Sequence, residues 1–335
     1  MPARLVQHFS IASRRGGPLG IVAPDDVELT LRAASDAPVL PPGALAYCAD
    51  IVRERVLFTC HAAADLPAVF AGTFHFVDQL RLAGSVLSVP FERLGELGLE
   101  HGQAEPVLIF SAGRAGSTLL AKLLAGVGLP CASEPDMLTQ MVCLPEEVRR
   151  GLAPGVDIEM AGVCMAALAR VLGRGAFLKL RSQCNANPLL LLGGAASGRV
   201  VFLLRQARVW ALSRRRAFSE GPAHIANILR ETMEALDTVL RSGVPCEVVW
   251  FETVLRDPRG ALRICAPGAR PDPARIAAVM ARDAQGGTIL AREAVAVAVE
   301  EGFVPAFEAA WAGAQATAVW GERTWRYVEA MWRDA

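Results

Sequence analysis

Four short apolar runs dominate the later two thirds of the chain: Pro106–Phe110 (PVLIF), Ala176–Leu180 (AFLKL), Arg199–Leu204 (RVVFLL) and Cys246–Phe251 (CEVVWF). They are continuous rather than alternating, the pattern of strands buried on both faces of a parallel sheet. Between and after them, Ile158–Leu172, Arg208–Phe218, His224–Arg241 and Pro273–Arg282 carry apolar residues at helical spacing. Strands alternating with helices require βαβ crossovers, so the expected class is α/β, a mostly parallel sheet flanked by helices. Upstream, ERVLFTCHA (Glu54–Ala62) and GSVLSVPF (Gly84–Phe91) read as strands, whereas DDVELTLRAASDAP mixes short alternation with breakers. That pattern predicts a smaller N-terminal lobe, α/β or β-rich. The segment GELGLEHGQAEP interrupts the apolar pattern with Gly, charge and Pro, and places the expected boundary between a lobe over 1–103 and a larger domain over 104–335. The tail from Ala291 to Met331 reads as helical, with Trp311, Trp320, Trp325 and Trp332 packing it down.

Composition narrows the class. Over 335 residues, 53% are hydrophobic and 20% charged, which excludes a disordered or low-complexity chain. No run approaches the roughly 18 uncharged apolar residues of a membrane span. The opening MPARLVQHFSIASRR lacks the apolar block of a secretory signal, so a cytoplasmic location and no membrane partner are expected. Formal net charge is zero, so no global basic field gathers nucleic acid, and any anion site must be local. The eight cysteines are scattered singly and read as reduced small hydrophobes. None of the five histidines has metal-ligand spacing, so no metal is expected. Of 34 basic residues only Lys122 and Lys179 are lysines. A chain that writes arginine almost everywhere makes each lysine a candidate for specific chemistry.

The segment after PVLIF carries the sharpest signal. In Ser111, Ala112, Gly113, Arg114, Ala115, Gly116, Ser117 and Thr118, small residues let backbone N–H groups approach an anion, and the N-terminus of the next helix points at it. Such a strand–loop–helix cradles a phosphate or sulfate, or is a plain βα turn. A triphosphate-splitting loop would read GxxxxGK[ST]. Here Ser117 stands in the lysine position, and Arg114 brings the positive charge from three residues earlier.

FSAGRAGSTLL resembles the 5′-phosphosulfate loop of the sulfotransferase family, whose usual form is PRSGTTxL after a strand. Arg114, Gly116, Ser117 and Thr118 fit, while Gly113 replaces the proline and Ala115 the first serine. VVFLLRQARVWALS resembles the family's second signature, an arginine ending a strand and a serine eight residues on, here Arg205 and Ser213. The resemblance implies that Ser111 and Gly113–Thr118 hold the 5′ end of 3′-phosphoadenosine 5′-phosphosulfate (PAPS), and that Arg205 and Ser213 grip its 3′-phosphate. An arginine fork suits phosphate oxygens. WFETVLRDPRGALR resembles the family's YExLxxDP segment, structural there, with Phe251 in the Tyr position. FHFVDQLRLAGSVLSVP and SEPDMLTQ resemble bacterial members with an extra N-terminal region. The run Arg214–Arg216 reads as a solvated helix face.

The resemblance also bears on catalysis. Cytosolic members place a histidine base after a strand reading KTH; the counterpart here is Lys179, Leu180 and Arg181, and an arginine cannot serve as base. Other branches use a glutamate about twenty residues beyond the loop arginine, the position of Glu134. Glu134 is thus the expected base, with His224 as fallback and Lys179 as donor to the bridging oxygen. The alternative for SEPD is a helix start capped by Ser133. Gly286, Gly287 and Thr288 read as a turn that could also reach a nucleotide. The implied activity is sulfuryl transfer from PAPS to a hydroxyl or amine of a small molecule, contacted by 137–160, 218–232 and the N-terminal lobe. A P-loop small-molecule kinase and a non-catalytic nucleotide-binding module stay open as alternatives.

Overall fold

The computed structural model describes residues 5–15, 17, 20–99, 104–195, 198–282 and 300–333. The Gly286–Thr288 turn and the start of the expected tail helix lie outside them. Among the described residues ten strands form two five-stranded sheets. The first holds β1 (Val6–Arg14), β2 (Val27–Ser35), β3 (Ala44–Asp50), β4 (Arg55–Cys60) and β5 (Ser85–Pro90), in the order β2-β1-β5-β4-β3, with every pairing antiparallel. The second holds β6 (Val107–Ser111), β7 (Cys131–Ser133), β8 (Phe177–Lys179), β9 (Arg199–Leu204) and β10 (Cys246–Trp250), in the order β10-β9-β6-β8-β7. In it β9 pairs in parallel with β10, and β7 with β8. The class is the α/β class expected, with a β-rich N-terminal lobe.

Contacts divide the chain into two compact units, one comprising 1–107, 130–184 and 189–198, the other 108–129, 185–188 and 199–335. In the first, the antiparallel sheet carries a core of Val22, Val27, Tyr47, Cys48, Leu57, Phe76, Leu80 and Val86. The edge strand β3 is buried along its whole length and packs against helices Asp136–Val142 and Val156–Leu172. Its edge would template aggregation if left bare. Gln140 closes it, accepting the Ala49 N–H at 2.7 Å and donating to the Ala49 carbonyl at 2.8 Å. Helix His75–Arg81 ends under Arg14, whose guanidinium donates to the carbonyls of Leu80 (2.9 Å) and Ala83 (2.5 Å), a basic cap on the negative end of the dipole.

In the second unit β6 is buried at every residue and β9 at all but its first, as continuous apolar runs require. The Phe110 and Phe202 rings stack at 5.9 Å. The helices expected over 208–218, 224–241 and 273–282 appear as Ala207–Phe218, Pro222–Arg241 and Pro273–Met280. Among its described residues the tail carries two helices, Phe303–Gln315 and Glu322–Met331. The break is fastened by Asp237, which accepts from Gly321 N–H (2.8 Å) and Thr324 Oγ1 (2.7 Å). Trp311 stacks on Trp320 at 5.9 Å and on Trp332 at 6.3 Å, which ties the tail segments to each other.

Two expectations are corrected. The arginine run is no solvated face: Arg214 is buried and forks onto Glu220, Arg215 reaches Glu300 at 2.7 Å, and only Arg216 is exposed. Ser133 caps nothing. It ends β7 and donates to the Thr73 carbonyl at 2.8 Å, and the helix after it starts at Asp136 without a side-chain cap.

His75 is buried, stacks on Phe70 at 4.8 Å and donates through Nδ1 to the Val69 carbonyl (3.3 Å). Burial pulls its pKa down to about 4. Because the folded value lies below the unfolded one, the stabilisation is complete above the unfolded value and is lost as pH falls toward 4. The expected loss between pH 7 and pH 5 is about 2 kcal/mol. Denaturant unfolding of wild type and His75→Phe at both pH values checks this, the variant showing the shallower pH dependence.

Candidate functional site

The two groups of residues singled out by the sequence fall in two places. The first is built on β6 and the helix Ser117–Gly126 that follows it. The intervening loop needs two left-handed residues, Arg114 (φ 71°) and Gly116 (φ 95°), to turn its N–H groups. At Gly116 a side chain is excluded twice over, by this backbone angle and by the Phe251 ring, whose Cδ2 lies 2.1 Å from where a Cβ would stand. Glycine is therefore a packing requirement there. Trp210 donates from Nε1 to the Gly113 carbonyl at 2.8 Å, with the buried Arg214 at 3.5 Å from the same oxygen. Asn185 donates to the Ser111 carbonyl at 3.2 Å. The loop carbonyls are thus tied to the protein.

Arg205, at the end of β9, donates from one terminal nitrogen to the Arg114 carbonyl at 3.0 Å, and its guanidinium lies 4.7 Å over the Phe251 ring. Its Nε is buried and has no hydrogen-bond partner. Burial lowers the Arg205 pKa, Glu252 opposes that shift, and the Arg114 charge adds to it. Ser213 Oγ accepts from Arg114 Nε at 3.4 Å. Arg114, Arg205, Ser213 and the loop therefore converge in one place. A bound anion would answer both the orphaned donor and the mutual repulsion of the two guanidiniums.

The second group lies where β7 and β8 end. Glu134 follows β7 with a left-handed backbone (φ 63°), and its N–H donates to the Lys179 carbonyl at 2.6 Å. Such a conformation costs a non-glycine residue about 1–3 kcal/mol and is kept where the surroundings demand it. Lys179 is buried and donates from Nζ to Glu134 Oε1. Arg181 Nε lies 3.8 Å from Glu134 Oε2, and the same guanidinium binds both oxygens of Asp136 at 2.9 and 3.0 Å. Burial raises the Asp136 pKa while Arg181 holds it back, so the cluster is four charges balanced two against two. His224, the fallback base, is largely exposed beside Glu220 at 3.7 Å.

Three participants escaped the sequence reading. Phe251 was placed as structural, yet it touches both the loop glycine and Arg205. Arg181 enters the sequence reading only as unable to be a base, and Asp136 only as part of SEPD. The doubled carboxylate at 134 and 136 opposite the doubled cation at 179 and 181 was the available signal. Among the described residues no cluster of His, Cys, Asp and Glu could hold a metal ion, and no helix is long and apolar enough to cross a membrane.

The site's class is a strand–loop–helix of an α/β protein on which two guanidiniums and a hydroxyl gather. No protein-family profile matches the chain, and no curated protein sequence does. Among solved structures the chain is similar to sulfotransferases. The sulfotransferase domain from the curacin biosynthetic pathway matches at 15% identity and a TM-score of 0.42, over 68% of this chain and 98% of that one. The sulfotransferase domain of the Synechococcus PCC 7002 olefin synthase matches at 18% and 0.41, over 70% and 98%. Mouse sulfotransferase SULT7A1, complexed with PAP, matches at 10% and 0.34, over 72% and 87%.

The contact of Gly116 with Phe251 yields a test. Gly116→Ala is expected to destabilise the protein by about 2–4 kcal/mol, from overpacking together with the left-handed backbone. Combining it with Phe251→Ala should cost less than the two single losses summed, with a coupling of about 0.5–3 kcal/mol. Denaturant unfolding of the four proteins measures it; strict additivity would assign the whole effect to the backbone.

Proposed function

We propose that this chain transfers a sulfuryl group from PAPS to a hydroxyl, or an amine, of a small-molecule acceptor. The observation that carries the reading is Arg205: a half-buried guanidinium over the Phe251 ring, with a buried, unpartnered Nε, bonded to a small-residue loop that Arg114 and Ser213 also join. These residues fit an anionic nucleotide. In this reading Ser111 and Gly113–Thr118 hold the 5′-phosphosulfate with backbone N–H groups, and Arg205 and Ser213 hold the 3′-phosphate. Ser117 in the lysine position supports sulfuryl over phosphoryl transfer from a triphosphate. Residues 104–335 are then the transferase domain, and 1–103 its accessory lobe.

Bound PAPS supplies an activated sulfuryl group. The bond between sulfur and the oxygen bridging to phosphorus breaks, its electron pair staying on the nucleotide phosphate. A bond forms from sulfur to the acceptor oxygen, and the acceptor proton passes to Glu134. Lys179 donates to the bridging oxygen as charge grows there. Ser133 bonds to Thr73 instead of capping the helix that starts at Asp136, which removes the capping alternative for this segment.

Arg205→Ala should weaken 3′,5′-adenosine bisphosphate by about tenfold to a hundredfold while adenosine 5′-phosphate is little affected, because only the former has a 3′-phosphate to lose a charge-assisted bond worth about 1.5–3 kcal/mol. Calorimetric titration of both ligands decides it, equal losses removing the 3′-phosphate assignment. Glu134→Gln keeps an acceptor for Lys179 but cannot take a proton. It should retain bisphosphate affinity and reduce turnover by about 10²–10⁴ in an assay with labelled PAPS and a hydroxylated acceptor. Near-wild-type turnover would transfer the role to His224.

A further inference from the structure

The first unit contains a cavity of about 240 Å³ that the proposed chemistry leaves unassigned. Its walls are mostly apolar: Ile21, Val22, Phe76, Val77 and Leu80, with the ring of Tyr47. Three wall residues touch the four-charge cluster. Phe76 lies beneath the Arg181 guanidinium, 5.3 Å from its ring centre; the Gly20 carbonyl accepts from Arg181 at 2.7 Å; the Val22 N–H donates to Asp136 Oδ2 at 2.9 Å. Arg181 in turn stands 3.8 Å from Glu134. One side chain therefore separates the cavity from the carboxylate assigned as base.

The polar groups on its wall select the ligand. Asp26 takes the Tyr47 hydroxyl (2.7 Å) and the Ala23 N–H (2.8 Å) on the same oxygen, Oδ2, which leaves Oδ1 for a donor from a ligand. Burial and this carboxylate raise the Tyr47 pKa well above its ordinary value, so the phenol stays a donor committed to Asp26. The two arginines on the wall are engaged elsewhere. Arg14 is spent on the Leu80 and Ala83 carbonyls, and Arg81 pairs with Asp78 at 2.7 Å. An anionic acceptor finds no cation set aside for it, and a sugar would leave its hydroxyls facing hydrocarbon at a cost per unmade bond. Size sets the remaining limit: a cavity of about 150 Å³ accommodates benzene, so this one suits a single substituted ring.

We infer that this cavity is the acceptor pocket, and that the acceptor is a small apolar hydroxy compound, one ring in size, carrying a hydrogen-bond donor such as an ammonium or second hydroxyl for Asp26. The reacting hydroxyl faces the Arg181 wall. The assignment of the ligand as an acceptor rests on the sulfotransfer reading; the binding site itself does not.

The test uses calorimetric titration of the full chain with three probes: tyramine, para-ethylphenol and para-hydroxyphenylpropionate. Tyramine should bind tightest and the carboxylate weakest. Asp26→Asn should weaken tyramine by about tenfold or more and leave para-ethylphenol within about twofold, the pattern of one lost charge-assisted bond. Val77→Trp, which fills the cavity, should abolish binding of both while 3′,5′-adenosine bisphosphate still binds as in wild type, which also shows that the variant folds. Absence of phenol binding to the wild type, or tyramine binding unchanged in both variants, overturns the inference, and bisphosphate binding then keeps the sulfotransfer reading alive. Phenol binding lost in Val77→Trp while its cooperative unfolding transition is kept, with no bisphosphate binding in any protein, upholds the pocket and removes the sulfotransfer reading instead.

Discussion

A guanidinium taken out of water must find its partners within the protein, and the Arg181 side chain gathers several of them at one point. It pairs with Asp136, approaches Glu134, donates to the Gly20 carbonyl and lies over Phe76. The ends of β7 and β8, the segment before β2 and the helix His75–Arg81 are thereby fixed to a common charge. Removing one member of such a cluster strands the others, at about 3–5 kcal/mol for a broken buried pair. Lys179 completes the balance, and the left-handed backbone at Glu134 is held in place by the bond from its own N–H to the Lys179 carbonyl. Geometry at this corner is over-determined, which is what a group that must present one carboxylate in one orientation needs.

Much of the framework was legible because burial on both faces leaves no freedom in composition. β6 and β9 announce themselves as VLIFS and RVVFLL. β1, β2 and β3 did not, for opposite reasons. β2 is an edge strand exposed at most of its length, so nothing imposes alternation on VELTLRAAS. β3 is buried throughout, yet ALAYCAD is built of small residues that pack tightly against helices without forming a recognisable apolar run. β7 has three residues, too few for any period.

The site divides in the same way. Gly113–Thr118, Arg205 and Ser213 could be read because each lies at a fixed offset from a strand end, and such offsets are local. The partners that make them a site are remote in sequence: Phe251 fills the space at Gly116 and underlies Arg205, and Trp210 fastens the Gly113 carbonyl. An aromatic ring that excludes a methyl group leaves no local trace beyond an aromatic residue. The arginine run after Ser213 misled because sequence shows charge without its counter-charge, and Glu220 and Glu300 bury what looked solvated.

The cysteines also have a practical meaning. Burial pushes Cys131, Cys164, Cys184, Cys246 and Cys265 up to about 12, leaving them protonated and poor nucleophiles, whereas Cys143 lies exposed. A thiol-reactive tag in excess therefore reaches the exposed Cys143 first, and the buried Cys131, Cys164, Cys184 and Cys265 only when their surroundings open. Of these four, Cys131, Cys164 and Cys184 lie in the first unit and Cys265 in the second. The native chain carries a built-in pair of clocks, one for the opening of each half, readable by mass without a single engineered label.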